Sequence, residues 1–180
     1  MDQEETDEAL VARGRDGDAA SFAILVSRYE RPVFNLAFRM LGNRDDARDV
    51  VQTTFLKALE NLSQFDSQYR FFSWLYRIAL NESLDQIGRR GRHTELTDVH
   101  VAEDDPLQDA VVADTGARVQ LALLGLSPEH RAVLVLRHFQ DLSYEEIGRV
   151  LQLSDFTVKS RLFEARERLR VQLTDTGRTH

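Results

Sequence analysis

Five cations fall within the sixteen residues DFTVKSRLFEARERLR at 155–170: Lys159, Arg161, Arg166, Arg168 and Arg170. Read as a helix, this stretch places Val158, Leu162, Ala165 and Leu169 on one stripe. A second stripe, Lys159, Phe163, Arg166 and Arg170, lies about 100 degrees around the axis. One face packs while its neighbour offers cations and an aromatic ring. Such a face suits the major groove of duplex DNA. Arg and Lys donate to guanine edges and phosphates, the hydroxyls of Thr157 and Ser160 form further hydrogen bonds, and a phenyl ring meets thymine methyls. The competing reading is a solvated helix held by ion pairs such as Glu164 with Arg168.

The elements that must position this face favour DNA binding. Ser143 followed three residues later by Glu146 is a capping box, which predicts a helix from Tyr144 through Ile147 to Leu151. A short turn, QLS, follows, and Ser154 or Asp155 can cap the next helix. Ile147, Leu151, Leu153, Val158 and Leu162 then have the spacing of a helix-turn-helix with a shared core.

A second helical lobe precedes this one. SFAILVSRYE and VFNLAFRML are apolar at helical spacing, with Pro32 suited to a first helical turn and Gly42-Asn43 to a stop. In DDARDVVQTTFLKALENL, Ala47, Val50, Val51, Thr54, Phe55, Ala58 and Leu62 form one stripe. FFSWLYRIALNESLDQIGRR repeats the pattern through Trp74, Leu75, Ile78, Ala79 and Leu84, and Trp74 with Phe71 or Phe72 reads as core. No strand alternation appears, so the expected fold is all-α: two small helical domains joined by a flexible acidic linker, the C-terminal one a helix-turn-helix.

Charge divides the chain in the same way. The formal net charge is -7, yet the acids concentrate in residues 1–20 and 92–117, each holding seven, which leaves two mildly basic lobes. The expected boundaries are an acidic tail at 1–19, a domain at 20–92, a linker at 93–117, a domain at 118–173 and a C-terminal tail at 174–180. The linker is read as a tether with a short helical turn near Leu107 to Val112.

Composition excludes several function classes. There is no cysteine, hence no disulfide, thiolate metal site or thiol redox sensing within the chain. The acidic N-terminus MDQEETDEAL is unlike a secretory signal, and no apolar run is long enough to span a bilayer, so a cytoplasmic protein without membrane insertion is expected. No phosphate-binding glycine loop occurs, and the histidines are scattered at 93, 100, 130, 138 and 180. Neither an enzyme nor a bound cofactor or metal is expected.

Three stretches in order resemble the extracytoplasmic-function (ECF) sigma factors, bacterial initiation factors of the sigma-70 family that keep only the second and fourth sigma regions. RDDARDVVQTTFLKAL is similar to the polymerase-binding helix and FFSWLYRIALNESLDQIGRR to the helix that melts and reads the minus-ten element. The stretch LSPEHRAVLVLRHFQDLSYEEIGRVLQLSDFTVKSRLFEARERL is similar to the minus-thirty-five reader.

The resemblance implies promoter-specific initiation by core RNA polymerase, with contacts to the β′ coiled coil and the β flap. It also implies promoter DNA as a partner, and an anti-sigma factor that can hold the chain at the membrane. Asp46, Asp49, Gln52 and Phe55 are the implied polymerase contacts. For the minus-ten element the implied residues are the loop Phe65, Asp66, Ser67, Gln68, Tyr69 and Arg70, with Arg77 and Asn81 on the adjoining helix. Lys57, Arg89, Arg90 and Arg92 are the phosphate contacts. The minus-thirty-five set is Arg137, Thr157, Lys159, Ser160, Arg161, Phe163 and Arg166.

Departures from the family pattern are Arg48 and Thr53 in the polymerase-binding helix, Gln152 in place of a turn glycine, Phe156 in place of the glycine before Thr-Val, and Glu164 where many relatives carry Arg. Two other readings compete. A stand-alone helix-turn-helix repressor leaves the first lobe without a purpose, and a helical interaction adaptor leaves the basic stripe unexplained.

Overall fold

The computed structural model describes residues 5–92 and 110–176, with side chains except at 92, 110–114, 175 and 176. Residues 93–109 of the expected linker, and the side chain of Arg92, therefore lie outside the described residues. Within the described residues the chain is all-helical: α1 (Asp7–Arg15), α2 (Ala19–Leu41), α3 (Arg44–Glu60), α4 (Phe71–Arg92), α5 (Ala110–Leu124), α6 (Pro128–His138), α7 (Tyr144–Leu151) and α8 (Asp155–Thr176). None of these helices is long and apolar enough to cross a membrane.

Local chemistry sets the boundaries. Side-chain oxygens of Thr6, Asp18 and Asn43 accept first-turn amides of α1, α2 and α3. α2 stops at Gly42, whose φ of 71° suits glycine and whose N–H returns to the Phe38 carbonyl at 2.8 Å.

Pro32 departs from expectation. Instead of opening a new helix it stands inside α2, which runs unbroken for 23 residues. A mid-helix proline costs about 3 kcal/mol. Leu25, Val33, Leu36 and Met40, each with 0% exposure, flank it along the same helix. Each such burial contributes roughly 1.5 to 3 kcal/mol, so continuing the helix wins.

Expected boundaries also shift. The segment read as an acidic tail contains α1, which buries Leu10 and Val11 and donates from Arg15 Nε to the Leu62 carbonyl at 3.0 Å. Its Asp7 pairs with Arg28 and accepts from the Tyr29 hydroxyl. α5 begins at Ala110, inside the stretch read as linker, and α8 runs on to Thr176, inside the stretch read as a C-terminal tail.

Helices α1 to α4 form the first lobe and α5 to α8 the second, and the C-terminal half of α2 joins them. Gln120 on α5 accepts from Arg39 Nη1 at 3.0 Å and donates to the carbonyls of Phe38 and Arg39 at 3.3 and 3.4 Å. Arg131 on α6 is 7% exposed. Its guanidinium donates to the carbonyls of Leu123, Leu124 and Leu126 at 2.9, 2.8 and 3.0 Å, and across the lobe boundary to that of Met40. Arg39 also lies 4.5 Å from the centre of the Phe139 ring.

Candidate nucleic-acid interface

The reading helix is set by the turn before it. Ser143 and Glu146 make the full capping box: Ser143 Oγ accepts the Glu146 amide at 3.2 Å and Glu146 Oε2 accepts the Ser143 amide at 2.8 Å. α7 ends at Gln152 in the left-handed region, φ 57°, with its N–H on the Gly148 carbonyl. The Leu153 amide reaches the same carbonyl at 2.9 Å. The turn is so tight that a Cβ on Gly148 would stand 2.7 Å from the Leu153 carbonyl oxygen. Ser154 Oγ then accepts the Thr157 amide at 3.2 Å and starts α8.

α8 buries Val158, Leu162 and Ala165 at 0, 1 and 0% exposure, and turns outward Lys159, Ser160, Phe163 and Arg166. Thr157 and Arg161 are half-buried at its flank. Arg137 is turned into the lobe, donating to the Leu142 carbonyl at 2.8 Å with its guanidinium 5.3 Å from the Tyr144 ring centre. Arg166 Nε donates to His138 Nε2 at 3.4 Å. Burial, then the charges of Arg166 and Arg137, hold His138 below its ordinary pKa, which keeps the ring a neutral acceptor. Glu164 lies 3.4 Å from His130 Nε2, and His130 Nδ1 lies 2.7 Å from Ser127 Oγ.

In the first lobe the loop from Phe65 to Arg70 is built around an Asp66 turn, in which Asp66 Oδ1 accepts the Gln68 amide at 2.9 Å. Phe65 is buried against Phe71 and Trp74, with ring centres 5.8 and 5.3 Å away. Asp66, Ser67, Gln68, Tyr69 and Arg70 are exposed. A cavity of about 370 Å³ opens here, walled by Asp66, Tyr69, Trp74 and Arg77 and closed on its far side by Gly148, Arg149 and Gln152. Trp74, which reads from the sequence as core, is half-buried with one side on the cavity. Its helical spacing predicts the packed side and carries no signal for the open one. Arg70 pairs with Glu146 at 3.1 Å across the lobes.

Along α4, Asn81 and Arg89 are exposed. Lys57 pairs with Glu82 and Arg90 with Asp46, so two expected phosphate contacts are engaged by carboxylates of the same lobe. Asp46 also accepts from Gln86 Nε2 at 3.2 Å. The four expected polymerase contacts therefore divide. Asp46 faces α4 and Asp49 is exposed, whereas Gln52 and the edge of Phe55 line a groove of about 710 Å³ between α2 and α3.

Sequence reasoning misses most of that groove: Val26, Phe34, Leu56 and Leu59, rimmed by Arg31, Arg44 and Arg48. Leu56 and Leu59 are 54 and 51% exposed. A signal for Leu56 is present, because it falls well off the buried stripe of α3 and an apolar side chain there has no place in the core.

Residues 25–93 match the sigma-70 region 2 family model and residues 122–171 the sigma-70 region 4 model. The ECF RNA polymerase sigma factor SigW of Bacillus subtilis is 36% identical over 175 residues, covering 89% of this chain and 93% of that protein. The ECF RNA polymerase sigma-E factor of Haemophilus influenzae is 33% identical over 180 residues, covering 93% and 95%. Among solved structures, CnrH in complex with the cytosolic domain of CnrY is similar with a TM-score of 0.74 at 29% identity, covering 95% of this chain and 99% of that one. Two region matches in the expected order, with similarity along nearly the whole length, show that the chain belongs to the extracytoplasmic-function sigma factors of the sigma-70 family.

Proposed function

We propose that this chain binds core RNA polymerase and directs initiation at promoters carrying minus-ten and minus-thirty-five elements. The observation that carries the reading is the presence, on one chain, of a cavity bounded by the Phe65–Arg70 loop of the first lobe and the Gly148–Gln152 turn of the second, beside an outward-facing helix α8. A repressor has use for the helix alone. Melting without a chemical energy source requires a place to hold an unstacked base, and the cavity beside Tyr69, Trp74 and Arg77 supplies stacking surfaces and a cation.

In this reading Phe65 to Arg70, Arg77 and Asn81 capture the minus-ten bases, with the exposed Arg89 at the phosphates, which Lys57 and Arg90 reach only by exchanging the carboxylates of Glu82 and Asp46. The exposed Asp49, with Gln52, the edge of Phe55, Leu56 and Leu59, forms the face offered to the β′ coiled coil, while Asp46 holds α3 against α4 behind it.

Thr157, Lys159, Ser160, Arg161, Phe163 and Arg166 meet the minus-thirty-five duplex, while Arg137, turned into the lobe, fixes the loop leading into α7 and acts on DNA binding through that loop rather than at a phosphate. Region 4 also meets the β flap. The chain acts by binding, as a factor that positions the polymerase, and takes no cofactor of its own. CnrH was solved in complex with the cytosolic domain of CnrY, which supports a partner protein for this chain; in this reading that partner is an anti-sigma factor that can hold the chain at the membrane.

The test is transcription by purified core RNA polymerase from a library of random promoters, with and without the chain. Chain-dependent transcripts sharing two upstream elements are expected. Specific duplex binding without any effect on transcription would replace this reading with a repressor.

A further inference from the structure

Phe156 is the second residue of α8 and is 81% exposed, more than any other large apolar side chain among the described residues. It contributes nothing to the core of its lobe. Phe156, Ser160 and Phe163 follow one another at steps of four and three, which places them within about 60 degrees of each other on the helix. They lie opposite Val158, Leu162 and Ala165, the buried line. Phe163 is itself 69% exposed. Lys159 and Arg166 stand beside this outward line. Two phenyl rings in water, with these cations along one side and Glu164 along the other, form an apolar strip at the start of α8.

The N-terminal turns of a helix-turn-helix reader approach the base edges most closely. A phenyl ring has no hydrogen bond to offer there, and the apolar group that unmodified DNA displays in the major groove is the thymine C5 methyl. Glu164 does not compete for the same place, because its carboxylate is directed to His130 on α6, whose ring is in turn held by Ser127. We propose that Phe156 is a specificity-determining residue that reads a thymine methyl in the minus-thirty-five element, three residues before Lys159 on the same helix. The proposal rests on the initiation reading given above.

The experiment uses the full chain assembled with core RNA polymerase and the strongest promoter recovered from the random library. Each thymine of the upstream element is replaced in turn by deoxyuridine, which removes only the methyl group. Binding is measured for the unaltered chain, Phe156→Ala and Phe156→Leu. One replacement is expected to weaken the unaltered chain about fourfold, the worth of one buried methyl. Phe156→Ala should show that same loss on the thymine promoter and no further loss on the deoxyuridine one, with Phe156→Leu intermediate.

Deoxyuridine penalties that are identical in all three proteins, or absent from the unaltered chain, would overturn the role of Phe156 while leaving initiation intact. Transcription that does not depend on the chain would overturn both readings. Circular dichroism of Phe156→Ala and Phe156→Leu separates a lost contact from a lost helix.

Discussion

Gln152 is the residue at which the sequence breaks a family habit and the backbone does not follow. Its left-handed conformation costs a side chain about 1 kcal/mol relative to glycine, yet the turn closes because two amides converge on the Gly148 carbonyl. Gln152→Gly is therefore expected to raise the stability of the second lobe by about 0.5 to 1 kcal/mol. Gly148→Ala should lower it by about 1 to 3 kcal/mol, since its Cβ would press on the Leu153 carbonyl. Urea unfolding checks both signs at once. His138 gives a second prediction for a single side chain. Its pKa is depressed in the folded chain from an ordinary 6.5, so the unfolded chain binds more protons between the two values. Stability of the lobe falls as pH drops below about 6.5. His138→Gln should flatten that acid limb in thermal melts followed across pH; an unchanged limb would assign it to the carboxylates.

Among the helices, α3 shows how far periodicity reaches. Its buried stripe is legible in the sequence, and Ala47, Val50, Thr54, Phe55 and Ala58 are all buried. The fate of its polar side chains is not, because Asp46 is claimed by Gln86 and Arg90 from α4, a pairing that no local pattern encodes. Pro32 shows the opposite error, a strong local signal overruled by burial on both sides of it. The capping box before α7 is legible because both partners lie within four residues. These assignments separate docking from folding. Leu56→Asp is expected to weaken polymerase binding by roughly tenfold or more with helicity unchanged. Asp46→Asn is expected to cost about 1 kcal/mol of stability through the α3–α4 contact. Affinity measured by competition, beside urea unfolding, tells the two apart; equal effects of both variants on affinity would return Asp46 to the docking face.

In the assembled molecule, composition reveals two lobes but not their contact. Nothing in the sequence SPEHRAV distinguishes Arg131 from an exposed arginine, yet it satisfies four carbonyls, one of them across the lobe boundary. Arg131→Met leaves those carbonyls without the donor and should lower stability by about 2 to 4 kcal/mol in urea unfolding. Gln120→Ala removes its bonds to α2 and should loosen the lobes in solution scattering without unfolding either; unchanged dimensions would show that the remaining contacts, Arg131 to Met40, Gln140 to Pro32, Arg39 to Phe139 and Arg70 to Glu146, suffice. Glu146 serves both lobes through its two oxygens. Oε2 starts α7, while Oε1 receives Arg70 from the loop of the other lobe. Because the two tasks use different atoms, Arg70 can leave without undoing the helix start. This outer contact between the lobes can thus open into water while the helix start behind it keeps its shape.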